Sequence, residues 1–102
     1  MFVMTDIERT AVERLCRELG VKRLDLFGSA TGDDFDPERS DLDFLVEFGP
    51  LPPGCRFDAF FDLREGLESL FERRVDLVTA TGIRNPFFRQ GVQATRRSLY
   101  AA

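Results

Sequence analysis

The chain has 102 residues, 43% of them hydrophobic and 31% charged, with a formal net charge of -4. That length suits one domain spanning 1–102, and the balance of apolar and charged residues is that of a soluble globular chain, not a disordered one. With no histidine and only two cysteines, Cys16 and Cys55, the sequence argues against a zinc site and against a Ser-His or Cys-His nucleophile. Any enzyme chemistry must fall to carboxylates or to a bound metal.

Thr5-Asp6-Ile7-Glu8 reads as a capping box that opens a helix. Ile7, Ala11, Val12, Leu15, Cys16 and Leu19 follow as its apolar stripe, and Gly20 is a natural stop. Residues 21–27 read as a first strand, and 28–40 as a polar loop rich in Gly, Asp and Pro. Residues 41–48 form the clearest strand. Leu42, Phe44, Val46 and Phe48 point one way, while Asp41, Asp43, Leu45 and Glu47 point the other. The breaker GPLPPG at 49–54 leads into a second helix over 57–73, with an expected stripe of Phe57, Phe60, Phe61, Leu63, Leu67, Leu70 and Phe71. Residues 75–79 read as a third strand. Asn85-Pro86 opens a final helix running toward Ser98, with Leu99-Tyr100 either ending it or adding a short edge strand. This order predicts an α+β, two-layer fold. Its small mixed sheet has helices packed mainly on the Phe44 face and leaves the Asp face more open.

The charge is uneven. Residues 1–50 hold 12 acids and 6 bases, a balance of -6, and residues 51–102 hold 6 acids and 8 bases, a balance of +2. The acidic first half argues against direct nucleic-acid binding. The basic end, with Arg84, Arg89, Arg96 and Arg97, suits phosphates, an acidic partner or a solvated helix face. No apolar run is long enough to span a bilayer, and the first residues lack the pattern of a secretion signal, so a cytoplasmic location is expected.

The chemistry concentrates at 26–48, LFGSATGDDFDPERSDLDFLVEF. Residues i and i+2 of a strand share a face, which makes Asp41 and Asp43 neighbours. Paired carboxylates repel, and a hard divalent cation between them relieves the repulsion. Such a pair alone is common on surface strands. Just upstream, Gly28-Ser29 follows the first strand, where glycine lets a backbone approach a phosphate closely. An ordinary turn explains that dipeptide equally well. Further on, Asp76 sits in the apolar run Val75-Asp76-Leu77-Val78, a costly place unless it is paired, with Arg73 or Arg74 for example, or binds a metal.

Taken together, "LFGSATG", "SDLDFLVEF" and "RRVDLVT" resemble the nucleotidyltransferase superfamily that includes DNA polymerase β. They are most similar to its minimal nucleotidyltransferases (MNT proteins), including the MntA-like antitoxins. The resemblance covers nearly the whole chain. It implies that Asp41, Asp43 and Asp76 are the catalytic and metal-binding residues, holding two Mg2+ ions, and that Gly28, Ser29 and Ser40 bind the nucleotide. ATP would donate AMP to a hydroxyl, with Asp76 helping to deprotonate it. The implied partner is a HEPN-domain ribonuclease toxin modified on a Tyr, in a type VII toxin–antitoxin system. A homodimer or a hetero-oligomer is the expected assembly. Two alternatives stay open: neutralisation of the HEPN partner by contact alone, and nucleotidyl transfer to a small molecule such as an aminoglycoside. Where many relatives carry an Arg shortly after Gly-Ser, this chain has Ala30-Thr31-Gly32, which leaves the grip on the triphosphate to other residues.

Overall fold

The computed structural model describes residues 2–32, 41–52, 54–79, 90 and 95–102. In these, α1 (Asp6–Glu18), β1 (Val21–Phe27), a 3-10 turn (Gly28–Thr31), β2 (Leu42–Phe48), α2 (Cys55–Phe71), β3 (Val75–Thr79) and β4 (Arg97–Ala101) follow in chain order. The strands form one sheet in the order β3-β2-β1-β4. β1 is antiparallel to both β2 and β4, whereas β2 and β3 are parallel and joined through α2. The fold is α+β, as expected.

α1 begins as its sequence dictates. Thr5 N–H donates to Glu8 Oε1 at 3.0 Å, and Glu8 N–H donates to Thr5 Oγ1 at 3.1 Å, which satisfies two of the helix's otherwise unpaired donors. Val12 and Cys16 face the sheet and are buried, while Leu15 and Leu19 pack at the margin. Ile7 is exposed, so the stripe enters the core one turn later than its first apolar residue suggests. Burial pushes the Cys16 thiol up to about 12, helped by the charge of Glu13. The thiol stays protonated and acts as a small apolar side chain.

Helix α2 departs from its predicted stripe. Its buried residues are Ala59, Leu63, Leu67 and Phe71, spaced at four, whereas Phe57 is 70% exposed and Phe61 39% exposed. The helix is apolar on several sides, so periodicity alone does not select its inner face. Phe57 and Phe61 instead pair on its surface, with ring centroids 4.7 Å apart. Gly66 has a packing reason. A Cβ there would lie 2.7 Å from Leu15 Cδ2, so the glycine lets α1 approach α2 closely.

The core lies between the helices and one face of the sheet. Leu42, Phe44 and Val46 of β2, Leu24 and Leu26 of β1, and Val75 and Leu77 of β3 meet Val12, Cys16, Leu63, Leu67 and Phe71 there. Phe44 stacks on Phe71 with centroids 6.2 Å apart, and Phe2 meets Phe71 edge-on at 5.4 Å. Burial of each such side chain contributes roughly 1.5–3 kcal/mol.

The end of the chain corrects the predicted final helix in part. Residues 85–89 and 91–94 lie outside the described residues. Arg97–Ala101 is an edge strand, the second of the two expectations for Leu99-Tyr100. It forms because β1 offers a free antiparallel edge: Leu24 pairs with Tyr100, and Ala102 N–H donates to Lys22 O at 2.9 Å.

Leu67→Ala should lower stability by about 2–5 kcal/mol, the range for truncating a buried Leu, while Phe57→Ser should change it by less than about 0.5 kcal/mol. Urea midpoints with an unchanged m-value check both.

Candidate active site

The sheet face turned away from the core carries the charged residues, and strand register sets their positions. Phe27, Asp43 and Asp76 are register partners across β1, β2 and β3. In the next row, Asp25, Leu45 and Val78 are partners. Neighbouring strands lie about 4.8 Å apart, so Asp43 and Asp76 present their carboxyls from adjacent backbone positions. Asp76 is exposed because β3 is an edge strand of the described sheet, so the cost of burying a lone acid does not arise. Asp43 is half-buried. Asp41 is exposed just ahead of β2, and Leu42 N–H is held there by Arg74 O at 3.2 Å.

Asp43 carries the electrostatic consequence. Burial, then the charge of Asp76, then that of Asp41 push its carboxyl from 3.8 up to about 6. Among the described residues, no three His, Cys, Asp or Glu side chains converge into a ready-made metal cage. The three acids singled out by the sequence are thus a register-matched pair, with Asp41 close enough to act on Asp43. This donor set consists of carboxylate oxygens alone. That chemistry fits a hard divalent cation completed by water and phosphate, as magnesium prefers.

Gly28 lies beside Asp43. Its φ is +74°, and a Cβ there would lie 2.6 Å from Asp43 Oδ2, so any side chain would displace the carboxylate. Gly28 N–H donates to Thr95 Oγ1 at 2.9 Å, and Thr31 Oγ1 donates to Gly28 O at 2.9 Å. Ser29 belongs to the same turn, whereas Ser40 lies outside the described residues.

Three residues on this face were not singled out from sequence. Asp25 is fully buried, and it accepts from Arg23 Nε at 3.2 Å and from Arg96 Nε. Its signal was available, since an acid centred in the apolar run Leu24-Asp25-Leu26-Phe27 has the same form as Asp76. Arg96 was read only as part of a basic end, and nothing local marks Thr95.

A mixed sheet with helices on one face, and a glycine turn beside paired acids on the other, has the architecture of a nucleotidyltransferase fold. The comparisons agree. The nucleotidyltransferase domain model matches residues 8–99. A candidate protein adenylyltransferase of Methanocaldococcus jannaschii is 34% identical over 88 residues, covering 86% of each chain. Protein adenylyltransferase MntA of Thermococcus cleftensis is 35% identical over 88 residues, 83% of this chain and 85% of that one. A solved candidate minimal nucleotidyltransferase superposes with a TM-score of 0.70 at 34% identity, covering 89% of this chain and 88% of that one. A chain of the Shewanella oneidensis complex between a tri-AMPylated HEPN toxin and its MNT antitoxin superposes with a TM-score of 0.64 at 21% identity, over 97% of this chain and 74% of that one, a likeness of fold. This chain belongs to the nucleotidyltransferase domain family, within its minimal nucleotidyltransferases. It is a nucleotidyltransferase enzyme.

The raised Asp43 carboxyl predicts a pH effect. A folded value of about 6 above the ordinary 3.8 gives a stabilising contribution that is present below 3.8 and lost as pH rises through about 6. In chelator, Asp43→Asn should therefore melt higher than the parent at pH 7.5, and the gain should shrink at pH 4. Thermal melts at the two pH values check it. Gly28→Ala should lower both the melting temperature and the transfer rate, because the turn and the Asp43 carboxylate compete for one space.

Proposed function

We propose that this chain transfers AMP from ATP to a hydroxyl of a partner protein, a Tyr of a HEPN-domain toxin, and acts as that toxin's antitoxin. The observation that carries this reading is the register match of Asp43 with Asp76 beside Gly28. It is supported by the relatives named as protein adenylyltransferases and by the solved complex of an AMPylated HEPN toxin with its MNT antitoxin.

In this reading, Asp41, Asp43 and Asp76 hold magnesium ions with the triphosphate. Bound there, magnesium would neutralise triphosphate charge and stabilise both the entering and the leaving oxygens. The turn at Gly28 and Ser29, together with Ser40, orients the phosphates. Asp76, exposed at the edge of the sheet, takes the proton of the acceptor hydroxyl. A bond forms from that oxygen to the α-phosphorus, and the bond to pyrophosphate breaks. Burial and the neighbouring acid charges oppose ionisation of Asp43, so a cation there would favour its carboxylate and couple nucleotide binding to the metal.

In this reading a partner protein supplies the acceptor surface. The exposed Phe57–Phe61 pair offers aromatic area suited to such a contact. That same pair favours a second reading, neutralisation by contact without transfer. Among the described residues no helix is long and apolar enough to cross a membrane, and we place the chain in the cytoplasm with its partner.

Intact-mass measurement of the HEPN partner after incubation with this protein, ATP and magnesium should show added AMP. The Asp41→Asn/Asp43→Asn variant should add none. A stable complex with no mass gain from either protein would move the function to contact alone.

A further inference from the structure

Thr95 and Arg96 reach the acidic face just before β4 begins, and two contacts fix them there. Thr95 Oγ1 accepts from Gly28 N–H, a contact made across 67 positions of sequence. Arg96 Nε donates to Oδ2 of Asp25, whose Oδ1 accepts from Arg23 Nε. Asp25 is the one charged residue that is fully buried among the described residues, and its neighbours on that face are Phe27 along β1, Leu45 on β2 and Ser98 on β4. An apolar side chain would suit those surroundings, and replacing a buried ion pair by apolar residues is often neutral or stabilising. Stability alone therefore does not require the pair. What the pair does is fix residue 96 in place, and with it Thr95. Thr95 in turn holds Gly28, whose open Cβ position lies against Asp43 Oδ2. A continuous line of contacts runs from a buried anchor to the carboxylate at the centre of the site.

We propose that Thr95 and Arg96, anchored on Asp25, are positioning residues of the nucleotide site. They hold the Gly28 turn against Asp43 and so set where that carboxylate presents its oxygens. The inference rests on the nucleotidyl-transfer reading and deepens it. Gly28 then serves the site by leaving room for Asp43, since its N–H is committed to Thr95. The segment before β4 becomes part of the site although it lies far from the glycine turn in sequence.

Three variants test this. Thr95→Val keeps the shape and removes the acceptor, Thr95→Ser keeps the acceptor, and Asp25→Leu/Arg96→Met replaces the ion pair with apolar groups. In Thr95→Val, the Gly28 amide should exchange with solvent at least tenfold faster, and KM for ATP should rise at least tenfold with little change in melting temperature. Thr95→Ser should restore both. The double variant should melt with the parent yet share the kinetic defect. Unchanged Gly28 exchange and KM in Thr95→Val, or full activity in the double variant, would overturn the proposal. Manganese binding followed by calorimetry separates this inference from the transfer reading. A parent that binds manganese but transfers no AMP would count against transfer alone. In that case an at least tenfold weaker manganese Kd in Thr95→Val would still support the positioning role, and an equal Kd would overturn it.

Discussion

Two like-charged carboxylates stand side by side on β2 and β3 because the opposite faces of those strands are locked into the core. Alternation along a strand makes the two faces inseparable. Burial of Leu42, Phe44, Val46, Val75 and Leu77 leaves Asp43 and Asp76 no choice of side. The magnitudes favour this arrangement. Repulsion between two carboxylates about 5 Å apart is roughly 3 kcal/mol at the effective dielectric of a protein surface. Each buried apolar partner contributes roughly 1.5–3 kcal/mol in the other direction. The apolar layer therefore holds the acids together against their repulsion.

That assembly has a local cost, which the molecule carries at Asp43. Its half-buried carboxyl resists ionisation, and the position beside it tolerates only a glycine, Gly28. Sites of this kind trade stability for preorganised charge. The sheet supplies the paired acids, and the turn after β1 brings Gly28 beside Asp43.

Much of this was legible in the sequence. β1 and β3 begin and end at the residues their apolar patterns and flanking breakers indicate. The alternation of β2 correctly separates Phe44 from Asp43. The partner of Asp43 was less clear: Asp41 is its neighbour along the strand, but Asp76 is its neighbour across the sheet, and only the parallel ladder reveals that. The inner face of α2 was legible in part. Leu63, Leu67 and Phe71 lie in the core, and Phe60 and Leu70 pack against it. Phe57 and Phe61 are exposed and Ala59 is buried, because the helix is apolar on several sides and its phase depends on what packs against it. The contacts of Thr95 and Arg96 were not legible because they span 67 and 71 positions, although Asp25 itself shows the same acid-in-an-apolar-run pattern as Asp76. Local pattern carries no information at that range.

The measurement that tests the central claim most directly is a crystal structure with manganese and a non-hydrolysable ATP analogue, read by anomalous scattering. The account predicts an anomalous peak within bonding distance of carboxylate oxygens of Asp43 and Asp76, with the triphosphate running toward the Gly28 turn. Manganese and nucleotide bound together elsewhere, with Asp43 and Asp76 left without a ligand, would contradict it.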